Sequence, residues 1–492
     1  MKLKELLHRA KIDFKDRLDP LFLELPINKI VYDSRLVGPF DLFIAIPCEQ
    51  VFHNVSDAIQ RGVQVLVGDE QVVNFVAINF PGKVLTIAVV NPRHSLSKLS
   101  EAYYQSQPEN LVAVTGTNGK SSVVHFFAQW SKLMGYKSAS LGTLGLSTSV
   151  PFEGGGLPKL TTPDAVNFHE TLSALENQGF THVALEASSH GLDQFRIHGA
   201  HLKAAGFTNL TQDHLDYHGT MENYFAAKSK LFFEVLPEGG TAVINHKSTY
   251  RGQLETICRV RKQKIIGYSL QGEGELVASA LMFDNTGINF DLSFEGQNYE
   301  GLRVNLVGAF QLENVLCALG LLLACGENIG TLIPHLQNLS PVKGRMDFIG
   351  RHRGGSLFVD YAHTPDALLS VLKSLRHHCT SKLHLVFGCG GDRDTSKRPE
   401  MGRIAQELAD CVYITDDNPR FENPEKIRHD IAKACPKGKI IGDRKEAIVT
   451  ALAEICPGDI LVVAGKGHED GQIVGSETLP FNDGDVIKSL IN

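Results

Sequence analysis

Short apolar runs separated by amphipathic stretches recur along the whole chain, and the pattern reads as alternating strands and helices. From residue 1 to about 90, the runs Leu42-Phe43-Ile44-Ala45-Ile46 and Val63-Gln64-Val65-Leu66-Val67 flank the helical Ser56-Asp57-Ala58-Ile59, which predicts a small α/β module. Asn91-Pro92-Arg93 marks a break, and Leu96, Leu99 and Tyr103 predict an amphipathic helix leading into the next strand. From there to about 340, strand-like runs over His182 to Leu185, Ala204 to Asn209, Thr241 to Asn245 and Lys264 to Tyr268 alternate with helical ones. That is the mark of a parallel sheet covered by helices. A third module begins near Pro341; its runs Ser356 to Asp360, Leu383 to Phe387, Val412 to Thr415 and Ile460 to Val463, with helices between, predict a doubly wound unit. Gly154-Gly155-Gly156 reads as a short flexible loop, and no internal repeat interrupts the order.

The stretch Leu111-Val112-Ala113-Val114-Thr115-Gly116-Thr117-Asn118-Gly119-Lys120-Ser121-Ser122 joins an apolar run, a glycine turn and a Lys-Ser pair without interruption. Val123, Phe126, Phe127, Trp130 and Leu133 then recur at helical spacing. Strand, phosphate loop and helix follow from this order. Lys120 falls at a helix N-terminus, where free N–H groups and the dipole favour anions, and Ser121 offers a hydroxyl to Mg²⁺. Val114 stands where the common P-loop has its first Gly, and the three spaced glycines of a dinucleotide fold are absent.

Charge changes the picture little: 48 basic against 55 acidic residues give a net charge of -7, with no basic block to neutralise a nucleic-acid backbone. Nucleic acid is therefore not expected as a partner. Nine scattered cysteines, without a C-x-x-C pair, point to reduced thiols and a cytoplasmic setting. The charged amphipathic start, Met1 to Arg9, is unlike a signal sequence, and the apolar segment Leu316 to Cys325 is too short to cross a bilayer. It reads as a buried helix.

Polar clusters follow several apolar runs, where open parallel sheets gather ligands: Glu186-Ala-Ser-Ser-His190, Asn209-Leu-Thr-Gln-Asp-His214 and Asp360-Tyr-Ala-His363. Glu186 and His214 could partner a metal held on a triphosphate. His214 and His218 stand four apart, as in helical zinc sites, but Leu215 occupies the place of the catalytic Glu and argues against zinc. Lys228, in Ala226-Ala-Lys-Ser-Lys-Leu-Phe-Phe233, is either a surface lysine or a buried amine able to add carbon dioxide and become a carbamate.

Six motifs together resemble the Mur ligases, in family order and across nearly the whole chain: Gly116-Thr-Asn-Gly-Lys-Ser121, Glu186-Ala-Ser-Ser-His190, Asp213-His-Leu-Asp-Tyr-His218, Gly344-Arg-Met-Asp347, Asp360-Tyr-Ala-His-Thr-Pro365 and Gly465-Lys-Gly-His-Glu469. The resemblance implies three α/β domains: residues 1–90 for a uridine nucleotide, a central P-loop-type parallel sheet with helices on both faces over 91–340 for ATP, and a doubly wound, Rossmann-like domain over 341–492 for an amino acid. It implies an ATP-dependent amide ligase of cell-wall precursor synthesis that works through an acyl phosphate. Lys120, Glu186, His214 and Lys228 would then be catalytic, with Lys228 carbamylated. Ser121, Glu186, His214 and Lys228 would hold Mg²⁺. Gly116, Thr117, Asn118, Gly119, Lys120, Ser121, Asn314, Arg345 and Asp360 would contact ATP. Ser34, Thr161, Thr162, Ser188 and Arg196 would contact the UDP-N-acetylmuramoyl dipeptide.

Asp417-Asn418-Pro419-Arg420 resembles the signature of members taking meso-diaminopimelate, and Arg393, Gly465 and Glu469 would complete that pocket. Three positions depart from the family's habit: Leu160 replaces an Asn, Gln311 replaces another, and Cys48 to His53 lacks an Asp-Gly. A monomer with small-molecule partners is expected. A lysine-adding or folylpolyglutamate-forming relative, or a non-catalytic nucleotide-binding scaffold, are the competing readings.

Overall fold

The computed structural model describes residues 1–14, 20–154, 160–284 and 286–491, so Gly155 and Gly156 of the predicted glycine loop lie outside the described residues. Three large sheets follow one another along the chain. The first is all parallel, in the order β1 (Ile30–Val31), β2 (Leu42–Ile44), β3 (Val65–Gly68), β4 (Leu85–Ala88). One face buries Leu3, Leu6 and Leu7 with Leu96 and Leu99, so the helix Pro92–Tyr104 after the proline break covers this sheet. The other face packs Val55, Ala58, Val72 and Val76.

The second sheet has ten strands: β5 (Asn110–Thr115), β6 (Ser138–Gly142), β7 (Gly145–Thr148), β8 (His182–Glu186), β9 (Ala204–Phe207), β10 (Thr241–Asn245), β11 (Lys264–Leu270), β12 (Leu276–Asp284), β13 (Gly287–Phe294) and β14 (Gln297–Val304). Their order is β14-β13-β12-β11-β10-β9-β5-β8-β6-β7. From β12 to β6 every neighbouring pair is parallel. The strand period of two sorts β5 cleanly: Val112 and Val114 join the core containing Val123, Phe127 and Trp130, while Leu111 and Ala113 face Phe168, Leu172 and Leu185. The expected parallel sheet is thus its middle. Antiparallel strands extend both edges, β7 at one and β13 and β14 at the other. These edge strands are only half buried, so they lack the continuous apolar runs that mark the central ones.

The third sheet, β15 (Asp347–His352), β16 (Gly355–Asp360), β17 (Leu383–Phe387), β18 (Cys411–Ile414), β19 (Lys439–Ile440) and β20 (Ile460–Ala464), runs in the order β15-β16-β20-β17-β18-β19. Only β15 is antiparallel. Apolar clusters cover both faces, as a doubly wound unit requires. A hairpin, β21 (Gly471–Val474) and β22 (Glu477–Pro480), follows β20. Nine cysteines are free thiols. Among the described residues no helix is long and apolar enough to cross a membrane; the segment at Leu316 belongs to the buried helix Ala309–Ala324.

Candidate active site

The phosphate loop leaves the carboxyl end of β5, and its shape is forced by what presses on it. Gly116 (φ +146°) and Gly119 (φ +88°) both lie in the left-handed half of backbone space. A Cβ would stand 2.0 Å from Thr208 Oγ1 at the first and 2.4 Å from Asn314 Oδ1 at the second. The segment after β9 clamps the loop: the Asn118 N–H donates to Asn209 Oδ1 at 2.9 Å, the Thr208 hydroxyl to the Asn118 carbonyl at 2.6 Å, and the Thr211 N–H to Thr117 Oγ1 at 3.0 Å. Lys120 begins the helix Lys120–Leu133 and folds back to donate to the carbonyls of Gly116 (2.9 Å) and Thr117 (2.8 Å). Burial lowers its pKa, and the carboxylates of Glu186 and Asp213 pull it back up.

A cavity of about 530 Å³ opens over this loop, lined from both the second and third sheets. Thr117, Asn118, Gly119, Lys120 and Ser121 reach it, with Thr161, Glu186, Ser188, His214, Asn314, Arg345 and Asp360. Glu186 ends β8 almost fully buried; its Oε1 accepts from the Thr143 N–H at 2.9 Å and Oε2 from the Thr143 hydroxyl at 3.2 Å. His214 adopts φ 52° just before the short helix Leu215–His218 and is half exposed. Its ring lies 5.0 Å from that of His190. Among the described residues no three His, Cys, Asp or Glu side chains stand close enough to hold a metal alone. Among the donors lining the cavity are the three expected at the metal, the Glu186 carboxylate, the His214 imidazole and the Ser121 hydroxyl. That set suits Mg²⁺, which takes few protein ligands and completes its shell with water and phosphate oxygens.

As a free amine, Lys228 is not among the residues that line the cavity. It is 1% exposed on the helix Met221–Lys230, where Nζ donates to the Gly116 carbonyl at 2.8 Å and sits 4.5 Å over the Tyr224 ring. The surface-lysine alternative is therefore excluded. Burial, and then the neighbouring Lys120 ammonium, hold its pKa well below the usual lysine value.

The remaining residues expected at the nucleotide bridge the two sheets. Gln311, one of the three departures, accepts from Asn314 Nδ2 and donates to the Arg345 carbonyl, both at 3.2 Å, so the longer side chain ties together two expected ATP contacts. Arg345 stacks on Tyr361 at 4.2 Å. Asp360 accepts from the N–H groups of Met346 (2.7 Å) and Ala362 (2.8 Å); burial raises its pKa and Arg345 opposes the rise. Asp366 Oδ2 accepts from Asn118 Nδ2 at 3.2 Å and from the Thr211 hydroxyl at 3.1 Å, joining the third module to the loop.

Of the residues expected at the dipeptide, Thr161 and Ser188 reach the cavity, whereas Thr162 and Arg196 stand behind them. The Thr162 hydroxyl donates to the Glu186 carbonyl at 2.8 Å, and Arg196 Nη1 to the Thr162 carbonyl at 2.7 Å. Ser34 is buried in the first module, outside this cavity. Two residues before it, burial and then the Asp164 carboxylate, which also acts on Arg196, push the Tyr32 pKa up to about 12. Leu160 is 41% exposed.

A second constellation lies at the carboxyl ends of β17, β18 and β20. Arg420 takes φ 53°, and its Nη1 donates to the Gly391 carbonyl at 2.9 Å. A Cβ on Gly390 would lie 2.8 Å from Arg420 Nη1 and 3.9 Å from Arg393 Cγ, so both arginines flank this glycine. Gly465 (φ +114°) has no room for a side chain against Asp417 Oδ2, 2.5 Å from its would-be Cβ. Asn418 Nδ2 donates to Glu469 Oε2 at 2.9 Å, with Pro419 buried beside it. Sequence reasoning missed Thr143, which is far from any recognised motif, and Asp366, which directly follows one; neither carries a local signal. It quoted Lys466 inside a motif without giving it a role.

Residues 114–322 match the Mur ligase middle domain, and residues 344–467 the domain described as Mur ligase, glutamate ligase domain. The chain is 40% identical over 481 residues to the UDP-N-acetylmuramoyl-L-alanyl-D-glutamate--2,6-diaminopimelate ligase of Bradyrhizobium diazoefficiens, covering 96% of each chain. It is 42% identical over 471 residues to the protein of the same name from Caulobacter vibrioides, covering 94% of this chain and 95% of that one. A solved structure of a ligase of that name superposes with a TM-score of 0.74 at 31% identity, covering 100% of this chain and 99% of that one. The MurF ligase of Thermotoga maritima in complex with ADP shares the fold, with a TM-score of 0.61 at 17% identity over 91% of this chain and 95% of that one.

Proposed function

The chain belongs to the Mur ligase family, and we propose that within it the chain is the ATP-dependent ligase that joins meso-2,6-diaminopimelate to UDP-N-acetylmuramoyl-L-alanyl-D-glutamate. The observation that carries the choice of amino acid is the pair of arginines, Arg393 and Arg420, on either side of Gly390, next to the bonded pair Asn418 and Glu469. Two guanidinium groups attract the distal carboxylate of diaminopimelate, for which Arg is the residue of choice. L-Lysine brings an ammonium to the same place and is repelled.

The chemistry follows from the cavity. A carboxylate oxygen of the dipeptide attacks the γ-phosphorus of ATP, ADP leaves, and the resulting acyl phosphate is attacked by the amine of diaminopimelate. Phosphate leaves and the amine loses a proton. Phosphoryl transfer asks for alignment and charge neutralisation rather than covalent help. Lys120 and the helix N-terminus behind it supply positive charge at the loop. Asn314, Arg345 and Asp360 hold the nucleotide from the junction of the second and third sheets, and Thr161, Thr162, Ser188, Arg196 and Ser34 hold the dipeptide nucleotide. Ser121, Glu186 and His214, with Lys228 as its carbamate, would hold Mg²⁺, which when bound neutralises phosphate charge and aligns the reacting oxygens. A carbamate on Lys228 replaces a repulsive neighbour of Lys120 with an attractive one, which supports that modification.

The strands of the three sheets fall within a partition into 1–90 for the uridine nucleotide, 91–340 for ATP and 341–492 for the amino acid, while the helix Pro92–Tyr104 packs back on the first sheet. The nine free thiols suit the cytoplasm. Phosphate release should require ATP, the dipeptide nucleotide and diaminopimelate together, with kcat/KM at least about a hundredfold above that for L-lysine. Equal turnover of lysine would refute the choice of amino acid, and nucleotide binding without turnover would refute the ligase.

A further inference from the structure

Behind the two arginines lies a lysine that no part of the proposed reaction uses. Lys466 follows β20 and is 0% exposed. It is held between Gly465 and Gly467, both at positive φ, and a Cβ on Gly467 would lie 2.7 Å from the Gly344 carbonyl and 2.8 Å from Tyr361 Cβ. The main chain is thus threaded between two neighbouring loops, and the side chain of Lys466 turns inward. Each of its three N–H donors has an acceptor: Asn418 Oδ1 at 3.0 Å, Glu469 Oε2 at 3.0 Å and the Gly471 carbonyl at 2.6 Å. With its donors spent inside the protein, Lys466 has none left for a substrate.

Its partners are left half used. Asn418 Oδ1 also accepts from the Ile473 N–H at 2.9 Å, so two donors converge on one end of the amide and fix which end is oxygen. Asn418 Nδ2 must then face Glu469, giving one N–H to Oε2 at 2.9 Å and keeping the other. Glu469 Oε2 takes both donors, and among the described residues Oε1 has no hydrogen-bond partner. One free N–H and one free carboxylate oxygen are therefore left on this bonded pair, and Arg420 Nη1 lies 3.4 Å from the Asn418 carbonyl. That is the complement of an α-amino acid head, a carboxylate with an ammonium next to it.

We propose that Lys466 is a positioning residue that sets the Glu469 carboxylate to read the distal ammonium of the incoming amino acid and turns the free N–H of the Asn418 amide toward the carboxylate beside that ammonium. The proposal rests on the diaminopimelate reading above. It makes Lys466, through Glu469, a determinant of selectivity for a second amino group.

The test compares meso-diaminopimelate with L-2-aminopimelate, which keeps both carboxylates and the reacting amine but lacks the distal ammonium. The wild type should prefer diaminopimelate by about a hundredfold in kcat/KM, as expected when a site built to bond a polar group meets an analogue lacking it. Lys466→Met should cut that preference at least about tenfold while the KM for ATP stays within about twofold. Glu469→Gln should do the same, and the double variant should lose no more than either single one, because the two act as a unit.

An active wild type whose preference survives in Lys466→Met, or a double variant whose losses multiply, would overturn the proposal alone. A wild type inactive on both compounds would overturn the diaminopimelate reading and take the proposal with it. If Lys466→Met does not fold, Lys466→Gln, which keeps a donor for the Gly471 carbonyl, carries the same comparison. Failure of both to fold would assign Lys466 to the fold and overturn the proposal.

Discussion

Among the described residues two lysines are buried almost completely, and their surroundings give them opposite characters. Lys228 has one protein acceptor, the Gly116 carbonyl, an aromatic face, and a second ammonium, Lys120, within the same loop region. Lys466 has three acceptors, one of them a carboxylate. A buried charge that is paired and fully bonded can persist, whereas one that meets a like charge is driven to its neutral form. The first region thus disfavours the ammonium of Lys228, and the second holds Lys466 as a fixed strut. Burial alone distinguishes neither; the count and charge of the acceptors do.

The largest expected effect comes from breaking the first region. Lys228→Met should lower ligase turnover by about two to three orders of magnitude, the scale of losing one preorganised electrostatic group at a phosphoryl-transfer site. Wild-type activity should fall when dissolved carbon dioxide is removed and return with bicarbonate, and the Met variant should respond to neither. The pKa of Lys228 is depressed in the folded chain, so between that depressed value and 10.5 the unfolded chain binds a proton that the folded chain does not. Stability contributed by this site therefore rises with pH across that window. Thermal unfolding in carbon-dioxide-free buffer should show the rise in wild type and a flatter profile in Lys228→Met. A wild type with no alkaline gain would mean that Lys228 is charged in the folded state, and the contrast with Lys466 would collapse.

A smaller effect sharpens the second region. Arg420 spends Nη1 on the Gly391 carbonyl and keeps its other donors for a ligand. Arg420→Ala should cost about 2 kcal/mol in kcat/KM for diaminopimelate, close to thirtyfold, as for a truncated charge-assisted bidentate contact. The KM for the dipeptide nucleotide should hardly change. Measured side by side, Arg420→Ala should weaken diaminopimelate and 2-aminopimelate alike, unlike Lys466→Met, because it removes the carboxylate partner common to both.

The two regions were also unequally legible in the sequence. The phosphate loop could be read because strand, turn, lysine and helix are contiguous, and the structure keeps all of them in place. The central strands were legible for a related reason: burial on both faces writes an unbroken apolar run. The edge strands β7, β13 and β14, half exposed, write nothing so plain. The amino-acid pocket is assembled from the ends of three strands separated by tens of residues, so periodicity could not place Arg393 beside Arg420; only family resemblance grouped them. Lys228 stayed ambiguous because its burial depends on Gly116, remote in sequence, as well as on Tyr224, four residues before it on the same helix face, and the spacing alone does not tell whether that face is covered. Gln311 read as a loss and proved to be a link between Asn314 and Arg345.

The smallest expected effect probes the seam between the two regions. Asp366, at the start of the helix Pro365–Arg376, places Oδ2 within reach of Asn118 and Thr211, so a carboxylate of the third module rests on the loop that would cradle phosphates. Its charge suits the helix N-terminus but opposes an arriving triphosphate. Asp366→Asn keeps the shape and an acceptor oxygen while removing the charge. The KM for ATP should fall two- to threefold, about 0.5 kcal/mol, and the difference should shrink as salt is added, because the repulsion is partly screened. A KM that rises instead would show that the carboxylate serves to hold the third module on the loop, and that the seam is tuned for contact between modules rather than for charge.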